Sequence, residues 1–159
     1  MGARPAGLLV QRDTYFHVPR GRLKLREIEG AAAELIQYAR PDEPAARASD
    51  YVIAPVPHPA PLREALARAL GVRAVVAKRR ALYLWRHTRI HLDDVESLGA
   101  FLELETVITD QSEADARAEI AEAAAALAIH DEDRLAVSYV DLVEALASTS
   151  SGGPAPLGT

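Results

Sequence analysis

The chain has 159 residues, a length that fits one domain with room for a small helical addition. It has no cysteine, so disulfide-stapled folds are excluded, and no apolar run approaches the ~18 residues that a membrane span needs. The N-terminus lacks the cationic start and apolar run of a signal peptide, so we expect a cytoplasmic protein with no membrane partner. The net charge of −5 argues against a non-specific nucleic-acid binder, and no nucleic acid is expected as a partner.

Charge is distributed unevenly along the chain. Residues 1–89 carry 16 Lys and Arg against 8 Asp and Glu, whereas residues 90–159 carry 2 against 15. A basic part therefore precedes an acidic part. Much of this charge falls in strand-like segments, where its position is informative.

The two ends of the chain lack a folding pattern. Residues 148–159 are rich in Ser, Gly and Pro and predict a disordered tail, and residues 1–9 predict a disordered N-terminus. The folded domain is therefore expected over residues 10–147.

The first half of the chain is typical of β-strands. A strand is expected from Val10, and residues 21–26 alternate strictly between aliphatic and basic side chains. The dipeptide at 29–30 (Glu-Gly) is a turn signal, which predicts that residues 34–40 return as a hairpin partner. A further strand is expected over residues 49–56.

The middle of the chain combines one helix with more strands. Residues 59–70 predict a short helix, because prolines suit its start and Gly71 suits the position after its end. Residues 72–85 then predict one long strand or a bent pair. Alternation over residues 89–93 and 101–107 predicts two more strands.

The last part of the folded domain is typical of helices. Ser112, with Asp115 three residues later, resembles a capping box that begins an alanine-rich helix to Ile129. A second helix is expected over residues 138–147. Strands followed by helices predict an α+β fold.

Several strand-like segments place charged side chains on one face and aliphatic side chains on the other. An open antiparallel sheet also has a solvated face, so one such segment alone means little. If the sheet curls with its charges inward, the lumen is cationic on one wall and anionic on another. A polyphosphate would balance the cations, and a hard divalent cation would balance the acids. The segments contain Arg22, Lys24 and Arg26; Lys78 and Arg80; Arg89 and Asp93; and Glu103 and Glu105.

Six short motifs follow one another in order between residues 11 and 107. They are Gln-Arg-Asp-Thr-Tyr-Phe (11–16), Gly-Arg-Leu-Lys-Leu-Arg-Glu (21–27), Glu-Leu-Ile-x-Tyr-x-Arg-Pro-Asp (34–42), Val-Val-x-Lys-x-Arg (75–80), Arg-Ile-His-Leu-Asp (89–93) and Leu-Gly-x-Phe-x-Glu-Leu-Glu (98–105). Together they resemble the CYTH superfamily of triphosphate tunnel metalloenzymes, and most of all its class IV adenylate cyclase-like branch.

This resemblance implies an antiparallel β-barrel with a charged lumen, a tunnel that binds a triphosphate with Mg²⁺ or Mn²⁺, and helices packed outside. The implied phosphate-binding residues are Arg22, Lys24, Arg26, Arg40, Lys78, Arg80 and Arg89. The implied metal ligands are Asp93, Glu103 and Glu105. The implied catalytic residues are Lys78, Arg80 and Asp93.

One feature of the family pattern has no counterpart in this sequence. The family opens with a Glu-x-Glu-x-Lys strand whose carboxylates help bind metal, and a helix follows it. Residues 1–10 contain no acid. We therefore expect that the first strand is missing, that the barrel wall has a gap and that metal binding is weakened, either because the start is misplaced or because the chain is a truncated member.

The leading functional hypothesis is a metal-dependent enzyme that converts ATP to cyclic AMP and pyrophosphate. One alternative is a triphosphatase acting on thiamine triphosphate or inorganic triphosphate, and another is an inactive module that binds nucleotide or polyphosphate. A homodimer is left open. For His91, a structural hydrogen-bonding role is favoured over proton transfer.

Overall fold

The computed structural model describes residues 2–39 and 51–150, which form one antiparallel sheet of seven strands and three α-helices. The strands are β1 (Arg4–Phe16), β2 (Arg22–Ile28), β3 (Ala33–Tyr38), β4 (Tyr51–Val56), β5 (Val72–Trp85), β6 (Thr88–Val95) and β7 (Gly99–Thr106). Their spatial order is β4-β3-β2-β1-β5-β6-β7. The predicted α+β class with an antiparallel sheet is confirmed.

The sheet consists of two runs of neighbouring strands joined at its centre. Strands β1 to β4 pair in chain order, as do β5 to β7, and the pairing of β1 with β5 connects the two runs. In the described part of the chain, β4 and β7 form the two edges and do not pair with each other. The sheet is therefore an open, tunnel-like form of a barrel.

Strand β1 begins earlier than the sequence pattern indicates. It starts at Arg4, so residues 4–9 belong to the sheet rather than to a disordered end. The cause is long-range: β5 continues as a single strand to Trp85, and its residues 80–84 provide backbone partners for residues 4–9. Pro5 and Gly7 interrupt local alternation there, at a register shift in the pairing.

Two helices pack on the face of the sheet that carries Leu25, which we call the aliphatic face. Helix α1 (Pro59–Leu70) packs Leu62 and Leu66 against the fully buried Leu25. It ends as predicted at Gly71, whose φ of +75° favours glycine. Helix α2 (Glu113–Ala126) is hydrogen-bonded to β6 through Glu119 and Thr88.

The predicted capping box at the start of α2 is present. The Ser112 hydroxyl accepts a hydrogen bond from the Asp115 backbone N–H, and the Asp115 carboxylate accepts one from the Ser112 backbone N–H. The helix ends at Ala126, before the expected Ile129, and a short 3₁₀ turn follows over Asp131–Asp133.

Helix α3 (Tyr139–Ser150) lies on the opposite face, which carries Lys24 and Lys78 and which we call the charged face. This corrects the expectation that all helices pack outside. Val140 of α3 is fully buried against the apolar part of the charged face, and Asp141 receives a hydrogen bond from Arg22 of β2 at 2.8 Å.

Helix α3 continues to Ser150, beyond the expected end at residue 147, and the remainder of the predicted tail lies outside the described residues. Among residues 2–39 and 51–150, no helix combines the length and the apolar character that a membrane span requires.

Candidate functional site

The strand register places the described candidate residues on the charged face. Lys24 and Arg26 of β2 lie opposite Tyr15 and Asp13 of β1, and Arg80 of β5 lies opposite Asp93 of β6. Successive side chains of a strand alternate between faces, so the other candidates follow by parity. On this face lie Arg22, Lys24, Arg26, Lys78, Arg80, Arg89, Asp93, Glu103 and Glu105. Arg40 lies outside the described residues.

A first cluster forms around Asp13. Its carboxylate accepts hydrogen bonds from Lys24 Nζ at 2.7 Å and from Arg26 Nε and Nη2 at 3.0 and 2.9 Å. Burial alone would raise the pKa of Asp13, but the two cations outweigh burial and lower it to about 2. Asp13 therefore stays ionised and holds both cations in place.

Two tyrosine rings lie next to Lys24 within this cluster. Its Nζ lies 5.4 Å from the centre of the Tyr15 ring and 5.6 Å from that of Tyr38. Burial lowers the pKa of Lys24 to about 8, with Asp13 acting in the opposite direction. Lys24 is therefore a cation that can lose its proton at mildly alkaline pH.

A second cluster forms around Asp93. Its oxygens accept from Lys78 Nζ at 2.7 Å and from Arg80 Nε and Nη2, both at 2.6 Å. Burial would raise the pKa of Asp93, but hydrogen bonds from Arg80 and Lys78 lower it, whereas burial lowers the pKa of Lys78. The Tyr139 hydroxyl of α3 also donates to Asp93, at 3.2 Å, and the Tyr139 ring lies 4.7 Å from Lys78 Nζ.

Two further carboxylates lie on β7 beside this cluster. Glu103 pairs with Arg80 and lies 4.0 Å from Lys78 Nζ, yet its side chain is 42% exposed. Glu105 is 45% exposed and lies 3.4 Å from Arg89. His91 lies between them, with Nδ1 3.6 Å from Glu103 and Nε2 4.0 Å from Glu105. Burial would raise the pKa of Glu103, but His91, Lys78 and Arg80 lower it, so Glu103 is ionised.

The two carboxylates of β7 could hold a divalent cation only together with oxygen atoms from a bound substrate. Across the described residues, no group of three or more His, Cys, Asp or Glu side chains converges as a metal cage. Mg²⁺, however, is commonly held by one or two carboxylates together with substrate phosphates. Glu103 and Glu105 provide such a pair, both reachable from solvent. Asp93 fits less well, because Lys78, Arg80 and Tyr139 already occupy its oxygens.

Arg22 lies at the other end of the charged face, against α3. Its Nη2 donates to Asp141, and Asp141 also receives a hydrogen bond from Arg73 at 2.8 Å. Arg73 in turn pairs with Glu144 of α3. These ion pairs attach α3 to β2 and β5.

Sequence reasoning missed the residues that position the cations. Asp13 lies in the first of the six motifs and Tyr139 at the start of the last predicted helix, yet the sequence pattern assigns neither of them a role in the site. For Asp13 a signal was present, because it alternates with Tyr15 on one strand as the basic residues do on β2. Tyr139 reaches Asp93 from a helix 46 positions away, which no local pattern reports.

The family model of the CYTH domain matches residues 2–139. Among solved structures, the PH1012 protein from Pyrococcus horikoshii OT3 is 26% identical, covers 89% of this chain and 87% of its own, and superposes with a TM-score of 0.80. A conserved hypothetical protein from Pyrococcus furiosus is 25% identical over 89% of this chain and 87% of its own, with a TM-score of 0.78.

A more distant solved structure carries a described activity. It is a "putative adenylate cyclase" from Vibrio parahaemolyticus, 21% identical over 89% of this chain and 84% of its own, with a TM-score of 0.67. At this identity the likeness concerns the fold. No curated protein sequence matches the chain.

Proposed function

Because the chain belongs to the CYTH domain family, we propose that it binds a triphosphate across the charged face and acts on it together with a divalent cation. One observation supports this most: two buried cationic clusters lie on one face of the sheet, and in each a single aspartate holds a lysine and an arginine. Each cluster thus presents two cations around one carboxylate, and phosphate oxygens match their remaining N–H donors.

The clusters are spaced for a chain of phosphates rather than for one. Arg26 of β2 pairs with Asp13 and Lys78 of β5 pairs with Gln11, on either side of β1, so their backbones are two strand spacings across the sheet and two residues along it, roughly 12 Å, apart. Each guanidinium can bind two oxygens at once, and each neighbouring lysine adds a point charge. A single phosphate could engage one cluster, whereas a triphosphate could engage both.

The metal would be held by Glu103 and Glu105 with phosphate oxygens completing its coordination, and its chemistry would be to polarise the attacked phosphoryl group. Asp93 was also predicted as a ligand, and this stays a prediction. Its contacts favour a different contribution, which is to hold Lys78 and Arg80 in fixed positions for the substrate.

The reaction that we propose first is formation of cyclic AMP from ATP. The ribose 3′-oxygen bonds to the α-phosphorus, the bond from that phosphorus to the bridging oxygen breaks, and pyrophosphate leaves. Lys78 and Arg80 are the candidates to hold the departing phosphates, and the hydroxyl proton passes to water. The described Vibrio neighbour supports this choice by fold likeness only.

Hydrolysis is the second candidate, because the same clusters would also hold a triphosphate for attack by water on its terminal phosphorus. Thiamine triphosphate and inorganic triphosphate are the substrates to test. A third candidate, binding without turnover, is favoured by the open edges β4 and β7 of the described sheet, which leave the ligand partly in contact with water.

Product analysis separates these candidates. The protein is incubated with ATP and Mn²⁺, and the nucleotides are resolved by chromatography. Cyclic AMP with pyrophosphate supports the cyclase, ADP with phosphate supports the hydrolase, and intact ATP with calorimetric binding supports the module. Absence of both turnover and binding would refute the proposal.

Two adjacent residues provide a matched control. Lys78→Met removes a buried cation of the charged face, whereas Arg79→Met removes an exposed cation one residue later, on the aliphatic face. We expect the first substitution to weaken ATP binding and turnover and the second to leave both unchanged. Equal effects would indicate non-specific attraction of the anion.

A further inference from the structure

Gln11 is a buried amide whose nitrogen has no hydrogen-bond partner among the described residues. Its side chain lies on the charged face of β1, and the residue is 3% exposed. Within residues 2–39 and 51–150, none accepts a hydrogen bond from its Nε2. A buried donor without an acceptor destabilises a fold, so native structures rarely retain one without a reason.

The surroundings of Gln11 connect the two cationic clusters. It pairs across β1 and β5 with Lys78, and Asp13, with its partner Arg26, lies two residues further along β1 on the same face. Because β1 is the strand between β2 and β5, Gln11 lies where a phosphate chain that engages both clusters would pass.

We propose that Gln11 contacts the ligand and that its Nε2–H donates to a non-bridging oxygen of the phosphate chain as that chain crosses β1. This inference rests on the proposed function, since it takes the phosphate chain as the ligand. Cations neutralise the ends of the chain at either cluster, whereas an uncharged donor between them satisfies an oxygen without adding charge. The amide therefore recognises a chain that continues past the first cluster.

Two apolar substitutions test the role. Gln11→Met keeps the length of the side chain and removes the hydrogen-bond donor. Gln11→Leu also removes the donor, but its side chain is branched. In the ligand-free protein we expect the thermal midpoint to stay the same or to rise, because the unsatisfied donor is gone. In the presence of Mn²⁺, calorimetric affinity for inorganic tripolyphosphate should fall by about tenfold or more, as for loss of a hydrogen bond to a charged acceptor.

Thr14 is the matched control. Its hydroxyl is also buried without a hydrogen-bond partner among the described residues, but it lies on the aliphatic face of the same strand. Thr14→Val removes that group at nearly constant volume and should leave tripolyphosphate affinity unchanged. Orthophosphate is a second control, because a single phosphate does not span the clusters and its weaker binding should not depend on Gln11.

The outcomes separate this inference from the proposed function. If wild-type protein binds tripolyphosphate and both Gln11 variants bind it equally well, the contact is refuted while the proposed function stands. If the variants lose thermal stability and keep wild-type affinity per folded molecule, Gln11 is a structural residue and the inference is again refuted. If the wild-type protein binds no tripolyphosphate in the presence of Mn²⁺, the proposed function and this inference both fail.

Discussion

Replacing Asp93 by asparagine removes the charge that holds the second cluster together while keeping the shape of the side chain. Asp93 has no exposed side-chain surface, and Lys78 and Arg80 are 4% and 9% exposed, so none of the three can turn to water without moving the sheet. The amide oxygen of the new side chain could accept two hydrogen bonds at most, whereas the carboxylate accepts from Lys78, from two nitrogens of Arg80 and from Tyr139.

The expected cost follows from leaving two buried cations short of a counterion. Removing one partner of a buried ion pair typically costs about 3–5 kcal/mol. Glu103 remains beside Arg80 and within 4.0 Å of Lys78, so the lower end of that range applies here. A loss of about 3 kcal/mol in a chain of this length corresponds to a fall in the thermal midpoint of roughly 6–12 °C.

The measurement is urea and thermal unfolding of Asp93→Asn beside Asp94→Asn. Asp94 is the adjacent residue of β6, exposed on the aliphatic face, and its substitution should change the free energy of unfolding by about 0.5 kcal/mol or less. Tripolyphosphate without metal should raise the midpoint of Asp93→Asn more than that of wild type, because phosphate oxygens replace the lost carboxylate. Equal stability of the two variants would show that Asp93 does not hold the cations.

Two further predictions concern Glu103 and Lys24. Glu103→Ala should lower Mn²⁺-dependent turnover by on the order of a hundredfold and should lower the thermal midpoint only slightly. The reason is that this half-exposed carboxylate balances cations and does not fill the core. A large fall in the thermal midpoint with normal turnover per folded molecule would contradict this prediction. The lowered pKa of Lys24, about 8 against an ordinary 10.5, means that its charge is present below pH 8 and is lost as the pH rises above it. Tripolyphosphate affinity measured by calorimetry should therefore decline above pH 8 in wild type and less steeply in Lys24→Arg, and identical profiles would exclude Lys24 as the titrating group.

The local sequence pattern was sufficient to predict the strands and helices and to predict that most charged side chains of the strands lie on one face of the sheet. The alternation of Leu23 and Leu25 with the basic residues of β2 predicted a strand with one charged side, and the register confirms that side for β5, β6 and β7 as well. Because side chains alternate strictly between the two faces of a strand, the face of one residue fixes the face of the others in that strand. The capping box at Ser112 and the helix end at Gly71 were found because each depends only on neighbours in sequence.

Contacts between residues far apart in the sequence could not be predicted from the local pattern. The counterion of Lys24 is Asp13 on a neighbouring strand, and no pattern within β2 names it. The face on which α3 packs depends on ion pairs between Asp141 and two arginines from β2 and β5, which come together only after the sheet forms. The start of β1 at Arg4 depends likewise on how far β5 extends.

The charge balance of the charged face gives a reason why a metal should accompany the ligand. Among the described residues between 11 and 106, seven cations lie on this side together with five carboxylates, and α3 adds two more carboxylates, so the ligand-free face is nearly neutral and its cations are already paired. A triphosphate that entered alone would have to displace carboxylates from Lys24, Arg26, Lys78 and Arg80 and leave those acids buried without partners, which is unfavourable. A divalent cation that entered with the phosphates would instead neutralise the displaced acids, above all Glu103, and the two ligands should therefore bind cooperatively. The residues counted are Arg22, Lys24, Arg26, Arg73, Lys78, Arg80 and Arg89, and Asp13, Glu34, Asp93, Glu103 and Glu105 with Asp141 and Glu144 of α3.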